Sequence, residues 1–416
     1  MSSNHLSQGE IAVIQKKSLR ILSGAQTLSG LGVTGTFAAG SLLVVQITDS
    51  EALAGLVQTA TVVGAALLAL PLAKWTALGG RRRALSTGYL VGALGATFAL
   101  IGGVNNLFFM ILLGAAMIGG ASAAGYQARF GAIDLATDEN RARDLSFVVW
   151  ASTVGSVLGP NLMEPAGVLA ESLGFPRLVG PYLIAVVTLI FAATLILIFL
   201  KPDPYLLART EADVDVTQKS VKTRAAFKIV RSEPKALLGL TSVVIGHIAM
   251  VTIMVMTPVH MGHVDVELRL IGLVISVHVL GMFAFSPLVG KLTDQIGREK
   301  TIIIGALILL LAALISGLAY ADAVFQLGVG LFLLGLGWSM TMIAGSTLLA
   351  ESVPLEGKAA SQGLSDLLMN GGGAIGGAIA GLIIAFLSYG WLCALVTLPV
   401  AFLLFKAVGR LRLLNA

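Results

Sequence analysis

Residues 270–300 read LIGLVISVHVLGMFAFSPLVGKLTDQIGREK, and residues 53–83 read LAGLVQTATVVGAALLALPLAKWTALGGRRR. A shift of 217 residues lays Leu53, Gly55, Leu56, Val57, Val62 and Gly64 on Leu270, Gly272, Leu273, Val274, Val279 and Gly281. The same shift takes Lys74, Thr76, Gly80, Arg81 and Arg83 onto Lys291, Thr293, Gly297, Arg298 and Lys300. Without a gap it also places Arg141 over Lys358 and Gly155 over Gly372. A period this long marks two copies of one domain-sized unit.

The solvent of that unit follows from composition. With 56% hydrophobic residues, 12% charged residues and a mean hydropathy of +0.91, the chain is too apolar to be a soluble domain. Its continuous apolar runs match a bilayer core, which takes roughly 20 helical residues to cross. Twelve spans are expected, near residues 20–46, 51–73, 84–104, 107–129, 145–170, 179–200, 236–260, 266–289, 301–320, 324–348, 360–387 and 389–409. The runs do not alternate as the strands of a membrane barrel do. The expected fold is an all-α membrane protein, twelve transmembrane helices in two six-helix pseudo-repeats. A polar tail (1–19) precedes the first half (20–200); a polar linker (201–235) with eight Lys and Arg leads to the second half (236–410) and a short tail (411–416). The linker is long enough to be flexible.

Lys and Arg cluster in alternate loops, which predicts that these loops and both termini lie on the cytoplasmic side of the membrane. Only Arg177 and Arg269 fall on the other side. The sequence pI near 9.3 reflects this asymmetry, and no basic stripe interleaved with aromatics suggests nucleic acid. The polar start followed by a full-length span does not read as a cleaved signal peptide. A single cysteine, Cys393, excludes a disulfide framework and a multi-thiolate metal site. No nucleophile with a nearby base, phosphate loop or closed catalytic metal set marks an enzyme, and no resident cofactor is expected.

The stretch from Gly290 through Asp294, Gly297 and Arg298 to Lys300, between the eighth and ninth spans, resembles the loop signature of the major facilitator superfamily. That resemblance implies alternating access, two halves rocking about a midplane site. Asp294 and Arg298 can pair with one another or with a neighbouring helix end to hold a gate conformation, while Gly290 and Gly297 allow close helix approach. The first copy has Ala77 in place of Asp294, and Arg81, Arg82 and Arg83 there either serve a gate or only fix topology.

Residues 240–300 concentrate four of the five His and five of the twelve Met. Met250 and Met254 are four apart in the seventh span, as are His278 and Met282 in the eighth, so each pair shares a helix face. Thioether and imidazole donors suit Cu(I). The repeat serves as an internal control: the equivalent positions are Val33, Phe37, Thr61 and Ala65, so the scaffold itself needs neither sulfur nor imidazole there. Methionine in a core otherwise fills gaps, and a buried histidine otherwise bonds a neighbouring helix. The two motifs resemble the CcoA-type copper importers of the same superfamily. The resemblance implies a carrier of the bacterial inner membrane, with Met250, Met254, His278 and Met282 as ligands of transported copper, and delivery towards copper chaperones or assembly factors of the cbb3-type cytochrome oxidase.

His260, Met261 and His263 fall in a short external loop where they would catch copper or simply be solvated, and His247 would be a relay or a packing group. Met340, Met342 and Met369 either line the cavity or pack. The rival function is proton-coupled efflux of a drug-like organic compound. Gly155-Ser-Val-Leu-Gly159-Pro160 resembles the drug-antiporter motif, incompletely, and Glu164 or Asp366 would carry the proton or serve as anchor and hydrogen-bonding group.

Overall fold

In hydrocarbon every backbone N–H and C=O must be satisfied within the chain, so apolar runs of this length resolve into helices. The computed structural model describes residues 6–49, 53, 56–211, 222–262, 264, 266 and 268–415, and no strand occurs among them. The first half comprises α1 (Gln8–Thr48), α2 (Leu56–Val104), α3 (Phe108–Gly131), α4 (Arg141–Asn161), α5 (Met163–Ser172) and α6 (Gly180–Phe199). Two short helices follow, α7 (Pro204–Glu211) and α8 (Thr223–Ser232). The second half comprises α9 (Pro234–Gly262), α10 (Leu268–Val279), a π turn (Leu280–Ala284), α11 (Ser286–Ile296), α12 (Arg298–Gly317), α13 (Val324–Glu351), α14 (Leu355–Phe386) and α15 (Tyr389–Asn415).

Nine of the described helices are long and apolar enough to cross a bilayer, and two bent pairs, α4 with α5 and α10 with α11, bring the number to eleven. The twelfth comes from α2, which breaks at Gly80 (φ 82°, ψ 173°) into two spans. The repeat is visible in this backbone detail: Gly297, the register equivalent of Gly80, adopts φ 96° and ψ 157° before α12. Only glycine enters that region without strain.

Two expectations shift. The first helix begins at Gln8 rather than near residue 20, because Ser7 and Glu10 form a reciprocal capping box. The linker 201–235 is partly helical: Asp203 accepts hydrogen bonds from the N–H groups of Tyr205 (3.0 Å) and Leu206 (3.2 Å), and Pro204 opens the helix it caps. The other carboxylate oxygen of Asp203 accepts from the N–H of Arg82 at 2.7 Å, so one side chain caps both α7 and the second segment of α2.

The chain forms two compact units. One comprises Met1–Thr137, Ala151–Ala226 and Pro354–Leu367, with α2 packed along α3 and α1 along α6. The other comprises Asp138–Trp150, Phe227–Val353 and Leu368–Ala416, with α13 packed against α9, α10 and α12. Each unit thus takes one segment from the opposite sequence half. The 217-residue register carries 138–150 onto 355–367, so the two exchanged segments are equivalents.

The glycine pair separates two costs. Gly297→Ala, which meets nothing within 4 Å, should cost only the backbone strain, about 1–3 kcal/mol. Gly80→Ala must in addition displace the Asp203 carboxylate, so its thermal midpoint in detergent should lie clearly below that of Gly297→Ala. Equal midpoints would mean that the Asp203 cap contributes nothing.

Candidate cargo site and gate

Helix α9 carries Met250, buried, and Met254, half-buried, one turn apart. On the neighbouring element His278 ends the last turn of α10, and Met282, half-buried, lies in the π turn. Both α9 and α10 pack on α13. The approach to α13 is close because Gly281 leaves room for the Phe332 carbonyl, while Gly335 leaves room for the backbone of His278 and Met282. π turns are uncommon and recur at functional sites.

His278 is 1% exposed. Its Nδ1 lies 2.8 Å from the Leu331 carbonyl oxygen. A carbonyl only accepts, so Nδ1 carries the proton and donates, and in the neutral ring the lone pair resides on Nε2. That Nε2 is buried and has no hydrogen-bond partner among the described residues. A ring fixed through Nδ1–H to a carbonyl, with Nε2 left over, is the usual arrangement of an imidazole ligand and its supporting shell.

Helix α13 also reaches α9 and the π turn through Trp338. The indole Nε1–H donates to His247 Nδ1 at 3.1 Å, and the indole ring meets Phe283 edge-on with centroids 5.7 Å apart. His247 is therefore tied into packing, and its Nδ1 is already used as an acceptor. Met340, Met342 and Met369 are all buried.

The expected external capture site changes character. His260 and Met261 belong to the last turn of α9 rather than to a loop. His260 stacks on Tyr389 (centroids 4.3 Å, planes 10° apart), its Nε2 lies 3.3 Å from the Ala319 carbonyl oxygen, and Met261 is fully buried. Aromatic stacking and burial hold both residues, which removes the solvated loop as their setting. His263 lies outside the described residues.

Glu164 is likewise not an intramembrane acid buried among helices. It stands at the start of α5, 70% exposed and ion-paired with Arg177, in the position of an anchor. Gly155 and Gly159 fit α4 against the backbone of α1 at Thr27, Leu31 and Gly35, a packing task that explains their spacing without an organic cargo.

At the helix ends that carry the basic loops, the signature residues do what their chemistry allows. Asp294 accepts from the N–H groups of Ala142 (3.1 Å) and Arg143 (2.9 Å), capping the N-terminus of α4. Arg298 pairs with Asp294 at 3.1 Å and with Glu351 at 2.8 Å, and donates to the Asp138 carbonyl at 2.7 Å. Gly290 lets α11 approach Ala142 and Ser146 of α4. A carboxylate at a partly buried helix N-terminus is worth up to about 2 kcal/mol.

The first copy builds its contact differently. Ala77, in place of the aspartate, is buried against Tyr205 and Ala359. Arg81 is 0% exposed: Nε and Nη2 donate to Asp134 at 2.8 and 3.1 Å, and Nη2 also donates to Gln362 Oε1 at 2.7 Å. The repeat register carries Arg81 onto Arg298 and Asp134 onto Glu351, so the two ion pairs are equivalents. That register was the signal by which Asp134 and Glu351 could have been found. One turn beyond Gln362 on α14, Asp366 is fully buried and accepts from Arg129 of α3 at 2.7 Å. Its register equivalents are Val149 for Asp366 and Ser346 for Arg129, so this pair has no counterpart.

Comparison with known proteins gives a consistent picture. The model of the family described as Major Facilitator Superfamily matches residues 22–268 and 260–413. The uncharacterized MFS-type transporter YddS of Bacillus subtilis (strain 168) is 33% identical over 95% of this chain and 92% of its own. The riboflavin transporter RfnT of Brucella anthropi is 27% identical over 91% of this chain and 92% of its own. Among solved structures, the human organic anion transporter MFSD10 (TETRAN) matches with a TM-score of 0.75 at 14% identity, covering 94% of this chain and 99% of that one. A bacterial homologue of the iron transporter ferroportin in the outward-facing state matches with a TM-score of 0.68 at 14% identity, covering 95% and 98%.

Asp134→Leu should destabilise the protein by about 3–5 kcal/mol, because it strands a buried guanidinium. The double variant Arg81→Met with Asp134→Leu should recover most of that loss, read as the thermal midpoint in detergent. A double variant no more stable than the single one would show that Gln362 and Tyr205, rather than the ion pair, place Arg81.

Proposed function

The chain belongs to the Major Facilitator Superfamily and is a multi-pass secondary transporter; from that premise we propose that its cargo is copper, imported as Cu(I) into the cytoplasm of a bacterium. Met250, Met254, His278 and Met282 are the proposed donors, and copper chaperones or assembly factors of a cbb3-type cytochrome oxidase are the proposed recipients. The observation that carries this reading is His278, a buried imidazole held at Nδ1 by Leu331 with Nε2 left unpartnered. Burying a polar nitrogen without a partner costs roughly 1–3 kcal/mol, a cost that a ligand role explains and a packing role does not. Met282 lies one turn on, and the thioethers of α9 supply further soft donors without adding charge to the membrane interior.

Transport requires that links between the sequence halves form and break. Two such links support a gate at the basic-loop end: Asp294 on the N-terminus of α4, and Arg129 with Asp366. A few kcal/mol at either suffices to shift the population between two carrier states. Asp366 is the proposed proton-coupling carboxylate, since its pair with Arg129 is a buried charge pair that the repeat does not require. The rival reading, efflux of an organic compound, draws on the Gly155 to Gly159 stretch and on the riboflavin transporter relative. It is less favoured, because those glycines serve packing and Glu164 is committed to Arg177 at the surface.

In a strain lacking the protein, the intact gene should restore accumulation of radioactive copper. Met254→Leu and Met282→Leu should abolish that restoration at normal expression, since such swaps cost less than about 1.5 kcal/mol in packing while removing the sulfur donor. Met110→Leu and Met117→Leu should be silent. Normal uptake in both site variants would refute the copper site.

The gate residues divide differently between binding and turnover. Asp294→Asn should lower the initial uptake rate at least tenfold while leaving Cu(I) affinity in detergent unchanged. Asp366→Asn should leave residual uptake that no longer responds to collapse of the proton gradient. A parallel loss of affinity in Asp294→Asn, or an unaltered gradient response in Asp366→Asn, would overturn the respective role.

A further inference from the structure

One cleft of about 390 Å3 belongs to neither the proposed cargo site nor the gate: it is lined by Lys17, Arg20 and Ile21 of α1 and by Leu195 and Phe199 of α6. Lys17, Arg20 and Ile21 are spaced three and four apart, as are Leu195 and Phe199 by four, so each set forms one face of its helix. The two faces meet because α1 packs along α6.

The lining is graded along the helix axis. Lys17 lies level with the end of α6, since its Nζ donates to the Lys201 carbonyl oxygen at 3.0 Å just beyond that helix. Ile21 sits one turn deeper, about 6 Å along the helix. The cleft therefore has a cationic rim at the end of the spans and an apolar floor below it. The floor continues onto the exposed apolar surface of α6 formed by Phe191, Ile198 and Phe199.

Among the described residues no carboxylate compensates the rim charges. The Arg20 side chain is exposed, and its guanidinium makes no ion pair or hydrogen bond with any described residue. Among the described residues Lys17 bonds a carbonyl oxygen alone, and no carboxylate lines the cleft. The carboxylate of Asp203 nearby is already used by the N–H groups of Arg82, Tyr205 and Leu206. Two cations with no carboxylate partner among the described residues, above an apolar trough at the membrane surface that the basic loops face, complement an amphiphile with an anionic head.

We propose that this cleft is a binding site for an anionic phospholipid of the leaflet facing the basic loops, its phosphate between Lys17 and Arg20 and an acyl chain along Ile21, Leu195 and Phe199. A lipid is favoured over free phosphate because three of the five lining side chains are apolar and offer an inorganic anion nothing. Seated there, the lipid bridges α1 and α6 at the end where Lys17 already ties the two together.

Native mass spectrometry of the full chain in detergent, titrated separately with dioleoylphosphatidylglycerol, dioleoylphosphatidylcholine and inorganic phosphate, tests the site. The wild-type protein should retain phosphatidylglycerol at least tenfold better than phosphatidylcholine. Lys17→Gln with Arg20→Gln should lower retention to the phosphatidylcholine level. Arg224→Gln with Lys228→Gln, which removes two exposed cations of α8, should leave it unchanged. Where the Lys17 change impairs folding, Arg20→Gln alone gives the reading, because Arg20 has no partner among the described residues; a severalfold drop is expected. Equal retention of the two lipids, an unaltered double variant and single variant, or displacement of the lipid by low-millimolar phosphate would each overturn the proposal.

Discussion

A guanidinium taken out of water must be paired, and the buried pair that does this for Arg81 recurs, half-buried, at Arg298. Arg81 with Asp134 and Arg298 with Glu351 are equivalents under the repeat, each joining the turn after a left-handed glycine to the end of a helix two spans on. Much else follows from that requirement. Gly80 and Gly297 turn the chain so that the arginine points back into the bundle, and the carboxylates must sit where α3 and α13 end or have just ended. Desolvating the charges costs several kcal/mol each, so such pairs add little net stability. What they supply is an arrangement that is badly destabilised when half-broken, which favours two discrete states over a continuum.

Around that symmetric frame the two copies diverge, and the divergences are concentrated. Where Asp294 caps α4, the first copy has Ala77 against Tyr205 and Ala359, an apolar contact in place of an ionic one. In exchange the first copy's unit holds Arg129 and Asp366, for which the second has Ser346 and Val149. Sulfur and imidazole donors follow the same rule, present in α9 and α10 and absent at their equivalents. Residues that the repeat leaves free to vary but that carry buried charge or soft donors are those the scaffold does not explain.

The helical class, the span count and the repeat were legible because they rest on hydropathy and period, which tolerate local error. The break inside α2 was legible too, as the gap between the apolar runs 51–73 and 84–104. The loop setting expected for His260 and Met261 changed because a helix end cannot be placed from hydropathy alone: the helix runs to Gly262, and His260 stacks on Tyr389, 129 residues on in the chain. Of the two readings of Glu164, proton carrier and anchor, the exposed ion pair with Arg177 favours the anchor. An acid inside an apolar run looks buried until the bend between α4 and α5 brings Arg177 to it. Asp134 could have been read from the register and was not, whereas Gln362 and Arg129 gave no signal, since their partners lie 237 to 281 residues away.

The exchange of equivalent segments between the two compact units gives these contacts their meaning. Residues 138–150 bring the α4 N-terminus to Asp294, and residues 354–367 bring Gln362 and Asp366 to Arg81 and Arg129. Each segment leads directly into the helix that continues in the other unit, so any movement of that helix pulls on a capped N-terminus or a buried ion pair. A capped N-terminus can be released at a cost of about 2 kcal/mol, whereas separating a buried arginine from its carboxylate costs about 3–5 kcal/mol. The two exchanged segments are therefore unequal latches on equivalent helices. Both rest on a carboxylate, Asp294 in one and Asp366 in the other, so the loss of either charge releases its segment, at a different cost.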